Sequence, residues 1–377
     1  MSLGVVILAN HKSALLPVFR QPAVVRAARL AAEFSKQVWV LASEEVYQRL
    51  KKLGHQFPAA IQIIMIPPGG NLNLPAPTFE RERPLIILKA QAIWDRHSFS
   101  AFLDQAQAGI ETVADWGGVL PAARWAAILP DWAQGPDSPS ASAGASLPYL
   151  LPSGESGPQE AESRLINALA EATRESDGFL TRTVDRRISR RISPWLARWG
   201  IRPNWVTLMG TLIGLTGAWL LSRATYEAHL AGTLMFLAAV IVDGVDGEVA
   251  RLTLQESVFG HYLDICTDNL VHVAVFVGLA LGLSRATGDD RYLYALLVLL
   301  GGFGLCALSV YQVLLKTEGS ETGSKITRWL EVLANRDFAY LLVVLAVINR
   351  LALFLWGAMI GCYVFAISLW VLGRRSQ

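Results

Sequence analysis

The chain has 377 residues, 53% of them hydrophobic and 17% charged, with a formal net charge of +2. A balance this close to neutral gives no support for a nucleic-acid partner. The uneven spread of apolar residues argues against one large soluble core. Up to about residue 202 the chain mixes charged, polar and apolar residues as a soluble domain does. Beyond it, apolar runs dominate that are long enough to cover a ~30 Å hydrocarbon core, which takes ~20 residues.

In the first part, short β-rich runs alternate with helical patterns. Residues 4–9 (GVVILA), 38–42 (VWVLA), 61–66 (IQIIMI) and 85–88 (LIIL) read as buried strands. Residues 23–34 and 44–53 have helical spacing. Such alternation predicts an α/β domain with a parallel sheet covered on both faces. The stretch from Gly135, GPDSPSASAGASLP, lacks periodicity and reads as a flexible linker. The expected organisation is a domain over residues 1–134, a linker over 135–160, a juxtamembrane helical segment over 161–202 and a membrane domain over 203–377.

In the juxtamembrane segment, Ile188, Ile192, Trp195, Leu196 and Trp199 recur at helical spacing, with arginines on the other face. Pro194 is expected to kink or restart this helix. Trp opposite Arg suits the membrane interface. The arginine cluster, Arg182, Arg186, Arg187, Arg190, Arg191, Arg198 and Arg202, reads as a cytoplasmic flank facing anionic lipid. Six spans are predicted, over residues 205–222, 228–250, 263–283, 293–315, 330–348 and 351–372. Their even number returns the C-terminus to the starting side. The N-terminus lacks a signal-like apolar core, so the soluble domain is expected on the cytoplasmic side of the cell (inner or plasma) membrane. Cys266, Cys306 and Cys362 show no metal-ligand spacing and read as packing residues.

The chemistry-bearing stretch is DGVDGEVARLTLQESVFGHYLDICTD. Asp243, Asp246, Gly247, Ala250 and Arg251 share one face of a helix, and Gly260, Asp264 and Asp268 share one face of the next. A helical hairpin brings the four carboxylates together. Carboxylates in a bilayer cost about 2.5–3.5 kcal/mol each even on the permissive insertion scale. Hard divalent cations neutralise such a set, because they favour oxygen ligands and bridge to substrate phosphates. Two of them ~3.5–4 Å apart form the clamp used for in-line displacement at phosphorus. Gly247 and Gly260 leave room for a nucleotide or diphosphate near the helix backbones.

The pattern D-x-x-D-G-x-x-A-R, eight residues, G-x-x-x-D-x-x-x-D resembles the signature of the CDP-alcohol phosphotransferase (phosphatidyltransferase) family at every fixed position. The resemblance implies an all-α polytopic fold of six transmembrane helices and two Mg²⁺ (or Mn²⁺) ions per site. The implied reaction displaces CMP from a CDP-linked donor by an acceptor hydroxyl, in phospholipid biosynthesis. It also implies a homodimer. By position, Asp243, Asp246 and Asp264 would be metal ligands, Asp264 bridging, and Asp268 a ligand or the general base. Gly247, Ala250, Arg251 and Gly260 would line the CDP site. The segment RPNWVT resembles the one opening the family's first span, where Asn204 and Thr207 either approach the nucleotide or cap the helix. On the acceptor side, Arg336 with Asn335 either holds an anionic headgroup or phosphate, or forms an internal pair with Asp337. Arg191 is a further acceptor candidate.

The opening GVVILANHKSALLPVFRQPAVVRAARLAAE resembles sugar-phosphate nucleotidyltransferases, but Asn10, His11 and Lys12 stand where a glycine-rich phosphate loop belongs. In LIILKAQAIWD, Lys89, Ala90 and Gln91 replace that family's metal-binding aspartate. Both departures imply a degenerate nucleotidyltransferase-like domain. The full arrangement is similar to the fused inositol-phosphate cytidylyltransferase/di-inositol-phosphate phosphate synthases. The donor is therefore a CDP-linked lipid or polyol, and the acceptor a lipid, polyol or polyol phosphate. The alternatives are a CDP-inositol:inositol-phosphate transferase making a soluble diester, and a non-catalytic membrane scaffold. Four costly acids weigh against the scaffold.

Overall fold

The structure is a computed structural model that describes residues 4–59, 61–66, 84–133, 147–152, 156–172, 181–317 and 337–375. It divides into two compact units. The first comprises Met1–Ala172 with Leu196–Gly200 and Arg251–Leu254, and the second holds the rest.

The first unit is built on β1 (Gly4–Ala9), β2 (Pro17–Val18), β3 (Gln21–Pro22), α1 (Ala23–Phe34), β4 (Val38–Ala42), α2 (Glu44–Lys52), β5 (Ile61–Met65) and β6 (Pro84–Lys89). It continues with β7 (Ala92–Ile93), α3 (Arg96–Gln107), β8 (Thr112–Ala114), β9 (Gly117–Pro121), α4 (Ala122–Ala133), β10 (Tyr149–Leu150) and α5 (Gly157–Ala172). The main sheet has the order β5-β4-β1-β6-β9-β8. Strands β5, β4, β1 and β6 are mutually parallel. The parallel expectation therefore needs correction at one edge, because β9 runs antiparallel to both β6 and β8. Only Asp115 and Trp116 separate β8 from β9, and a link that short can only reverse the chain.

Both sheet faces are covered. On one side Val5, Ile7, Val38, Val40, Ile86 and Leu88 pack with residues of α1, α2 and α3. On the other, Val6, Leu8, Trp39, Leu85 and Ile87 meet Trp125 and Leu129 of α4. The Trp125 Nε1–H donates to the Leu85 carbonyl at 2.8 Å, so this ring is buried without an orphaned donor. Within the same unit, stretch Arg251–Leu254 receives two side-chain donors. Arg26 Nη1 reaches the Leu252 carbonyl and Gln21 Nε2 the Thr253 carbonyl, each at 2.6 Å. Burial pulls the Arg26 guanidinium down to about 10, which leaves it charged at neutral pH.

The second unit is helical: α6 (Arg186–Trp199, whose last turn belongs to the first unit), α7 (Pro203–Leu221), α8 (Tyr226–Thr253), α9 (Val258–Thr287), α10 (Arg291–Thr317), α11 (Phe338–Val347) and α12 (Leu351–Arg375). Helix α6 runs unbroken through Pro194. The helix therefore does not restart at Pro194, whose missing N–H removes one intrahelical bond while the flanking turns hold. Among the described residues, four helices are long and apolar enough to cross a membrane: α7, α8, α9 and the stretch Leu351–Ser368 of α12. Arg291–Cys306 and Phe338–Val347 are shorter apolar stretches, so four of the six predicted spans stand among the described residues. Part of the fifth predicted span lies outside the described residues.

Helices in lipid gain little from hydrophobic burial against one another, so close approach matters more. At Gly278 of α9, a Cβ would stand 2.1 Å from the Ala218 carbonyl of α7. Only glycine allows that contact. The bundle core is apolar, with Phe236 and Val240 of α8, Val271, Val275 and Leu279 of α9, Leu296 and Leu299 of α10, Leu342 of α11 and Leu355 of α12.

Candidate active site

Helix α7 starts with Pro203 at its first position, where the missing N–H is no loss. Helix α9 starts at Ser257, whose Oγ accepts from the Gly260 N–H at 3.0 Å. Between α8 and α9, Leu254 takes a left-handed conformation at φ 50°. This short turn sets the C-terminal part of α8 against the start of α9, and the motif aspartates lie on either side of it.

Carboxylate oxygens of Asp243, Asp246 and Asp264 lie within 4.8 Å of one another. Asp246 is buried, at 5% exposure, while Asp243 and Asp264 are half-buried. The buried Asp264 Oδ1 has no hydrogen-bond partner among the described residues. Three anionic oxygens this close repel one another, and an orphaned buried carboxylate oxygen is costly. An all-carboxylate donor set of this size suits a hard divalent cation such as Mg²⁺ or Mn²⁺. The residues present therefore fit the metal.

Asp268, one turn beyond Asp264, is not in that triad; its side chain is 49% exposed. It shares a small cavity with Asp243, Thr207, Thr211 and Thr267. The His272 Nδ1 lies 2.8 Å from the Asp268 carbonyl oxygen and 3.3 Å from its carboxylate. Its ring also meets Phe236 and Phe338.

The structure assigns Thr207 a contact that neither alternative from sequence anticipated. Its hydroxyl donates to the Asp246 carboxylate, and also lies 3.3 Å from the Pro203 carbonyl. Asn204 stands at the mouth of the same region, since a Cβ at Gly260 would come within 3.2 Å of its Oδ1 and 3.1 Å of Ser257 Oγ. Gly247 and Ala250 continue α8 beyond Asp246, both half-buried, and Arg251 follows as an exposed residue. Arg191 is exposed on α6. Asn335 and Arg336 lie outside the described residues; Asp337, their neighbour, precedes α11.

Glu248 escaped the sequence reading. It occupies a variable position of the motif, yet is buried at 3% exposure and accepts from Arg186 Nη1, Ser189 Oγ (2.8 Å) and Ser193 Oγ (2.6 Å). The only sequence signal was an acid placed off the aspartate face of α8. Its partners lie 55–62 residues away, so spacing could not reveal them.

Residues 201–372 match the CDP-alcohol phosphatidyltransferase family. The chain is 34% identical over 121 residues to the bifunctional IPC transferase and DIPP synthase of Aquifex aeolicus (strain VF5), covering 32% of this chain and 27% of that one. It is 36% identical over 145 residues to the protein of the same name from Thermococcus kodakarensis, covering 38% and 31%. Against the archaetidylinositol phosphate synthase of Pyrococcus horikoshii it is 36% identical over 118 residues, covering 30% and 56%. The matches thus span between about a quarter and somewhat over half the length of these relatives.

Proposed function

We propose that the chain, whose residues 201–372 match the CDP-alcohol phosphatidyltransferase family, is a divalent-metal-dependent membrane transferase acting on a CDP-linked donor. The observation that carries this reading is the convergence of Asp243, Asp246 and Asp264 from two helices of that domain. Bound there, two Mg²⁺ or Mn²⁺ ions would neutralise the donor diphosphate and the charge that develops on it. Asp243, Asp246 and Asp264 would hold them, and Thr207 orients Asp246 by its hydrogen bond.

The acceptor oxygen attacks the phosphorus that bears the donor alcohol. The new O–P bond forms as the bond to CMP breaks, and CMP leaves. The half-exposed Asp268 takes the acceptor's proton, which places the base on the open side of the triad. Gly247 and Gly260 let the CDP moiety approach, Asn204 lines its entrance, and Ala250 and Arg251 extend the same helix face. Arg191, Asn335 and Arg336 are assigned to the acceptor side. Two further spans completing a six-helix domain, a cytoplasmic active site and a homodimer belong to the same reading, supported by the arginine-rich approach to α7.

The substrate pair assigned is a CDP-linked lipid and a polyol or polyol phosphate. A second reading, transfer from CDP-inositol to an inositol phosphate, is favoured by the names of the Aquifex and Thermococcus relatives. One experiment separates them. Purified protein receives labelled CDP-diacylglycerol or labelled CDP-inositol with inositol phosphate, and label is followed into lipid or water. Label in lipid supports the first reading and label solely in a water-soluble diester the second. Absence of CMP release from either donor, with Mg²⁺ or Mn²⁺ present, would overturn both.

The N-terminal domain is assigned a non-catalytic role. Lys89 and Gln91 are buried at the end of β6, where the nucleotidyltransferase pattern calls for an acid. The cleft at the ends of β1 and β4 is lined by Asn10, His11, Lys12 and Ser43, and Lys12 is paired with Glu45 at 3.1 Å. No glycine-rich wrap for a triphosphate stands there.

A further inference from the structure

Glu248 raises a question the aspartate site does not answer: why a carboxylate beside four costly acids should be buried and point away from them. Its three partners all lie on α6, at Arg186, Ser189 and Ser193. Successive helical residues turn by about 100°, so these three form one stripe. Ile188, Ile192 and Trp195 form a second stripe roughly a third of a turn away. These apolar side chains are 36%, 38% and 51% exposed. Arg187, Arg190 and Arg191, all exposed, form a third stripe roughly a third of a turn in the other direction. An apolar stripe and a basic stripe suit a membrane interface. The Glu248 stripe fixes the third side of the helix against α8.

A second contact holds the same segment. The Tyr340 hydroxyl of α11 donates to the buried Asp185 carboxylate, one residue before α6 begins. The approach segment is thus fastened at two points, and the Glu248 point lies half a turn past Asp246 on α8. A shift of the α8 backbone at Glu248 is therefore transmitted to a carboxylate of the triad.

We propose that Glu248 is a positioning residue for the transfer reaction: it pins α6 to α8, fixing the roll of the interfacial helix and bracing the turn that carries Asp246. The proposal rests on the function assigned above. It places Glu248 outside the metal and CDP sites, acting through α6 and Asp246. Charge-assisted hydrogen bonds from Arg186 and two hydroxyls satisfy the carboxylate, so neither partner set can be removed without leaving buried polar groups unmatched.

The test uses the full chain in lipid nanodiscs, with Glu248→Gln as the first variant and Ser189→Ala/Ser193→Ala, which keeps the ion pair, as the second. A nitroxide is attached through Arg190→Cys after replacing Cys266, Cys306 and Cys362. Mn²⁺ binding, the spin-label line shape, and kcat and KM for CMP release from CDP-diacylglycerol are measured. The expected result is a more mobile label and a kcat lowered about tenfold in Glu248→Gln, with KM within about threefold and Mn²⁺ binding retained. The serine double variant moves the same way by a smaller factor. An unchanged line shape overturns the pin, as does a loosened label with wild-type kcat. Loss of Mn²⁺ binding in both variants makes Glu248 part of the metal site and also overturns it. If the wild-type protein releases no CMP, the functional reading fails by itself, and the line shape alone upholds or overturns the pin.

Discussion

Thr207 donates its hydroxyl hydrogen bond to the carboxylate of Asp246, so the first membrane helix orients a metal-ligand candidate carried by the second. Groups that hold ligands in place this way are commonly worth 10–100-fold in metal affinity. Thr207→Val keeps the shape and removes the donor. It should weaken Mn²⁺ binding by about tenfold, whereas Thr207→Ser should stay close to wild type. Titration of Mn²⁺ by electron paramagnetic resonance would show it, and equal affinities for the two variants would refute the role.

Asp264 contributes a buried oxygen with no hydrogen-bond partner among the described residues, set among the carboxylates of Asp243 and Asp246. Asp264→Asn replaces that anionic carboxylate with a neutral amide. CMP release should fall by at least about a hundredfold, the scale seen when a group stabilising developing charge is removed. Wild-type activity should vanish with EDTA and return with Mg²⁺ or Mn²⁺. Turnover that survives both the substitution and the chelator would remove the metal from the mechanism.

Much of this was legible in the sequence, for reasons that differ by element. The bounds of β1, β4 and α1 follow directly from unbroken apolar runs and one helical pattern. Three of the four aspartates meet because helical phase fixes which residues share a face, while Asp268 stands one turn outside the triad. The β8–β9 hairpin was not legible. Its second strand opens with Gly117 and Gly118, residue types depleted in strands. Gly118 is required there because a Cβ would lie 2.2 Å from the Thr112 carbonyl across the pair. Nor was Glu248 legible, since its burial depends on serines and an arginine in another helix.

Gly260 tests how tightly the mouth of the site is built. A Cβ there would press on Ser257 Oγ at 3.1 Å and Asn204 Oδ1 at 3.2 Å. Those neighbours can give by a few tenths of an ångström, so Gly260→Ala should fold. It should raise KM for the CDP donor by roughly three- to tenfold while leaving Mn²⁺ affinity unchanged, a loss on the order of 1 kcal/mol in donor binding. Steady-state kinetics beside the Mn²⁺ titration would check this, and an unchanged KM would take Gly260 out of the donor site.

Gly278 makes a structural prediction instead. Its would-be Cβ stands 2.1 Å from the backbone carbonyl of Ala218, and backbone cannot swing aside as a side chain can. Gly278→Ala should force α7 and α9 apart and destabilise the bundle by about 1–3 kcal/mol. Thermal unfolding in detergent should show a lower midpoint. A wild-type midpoint would mean that the helices separate there without penalty.

The N-terminal domain yields the last prediction. A nucleotidyltransferase condensing CTP with a phosphate ester must hold the triphosphate and a metal. In this chain Asn10, His11 and Lys12 follow β1, and the buried Lys89 closes β6. A lysine at that place repels a divalent cation, where a carboxylate would bind it. The full chain bearing Asp264→Asn, which silences the membrane site, should therefore release no pyrophosphate from CTP with inositol phosphate or sugar phosphates. A coupled pyrophosphate assay decides the matter. Steady pyrophosphate release would restore a catalytic role to the first domain and make the chain a producer of its own donor.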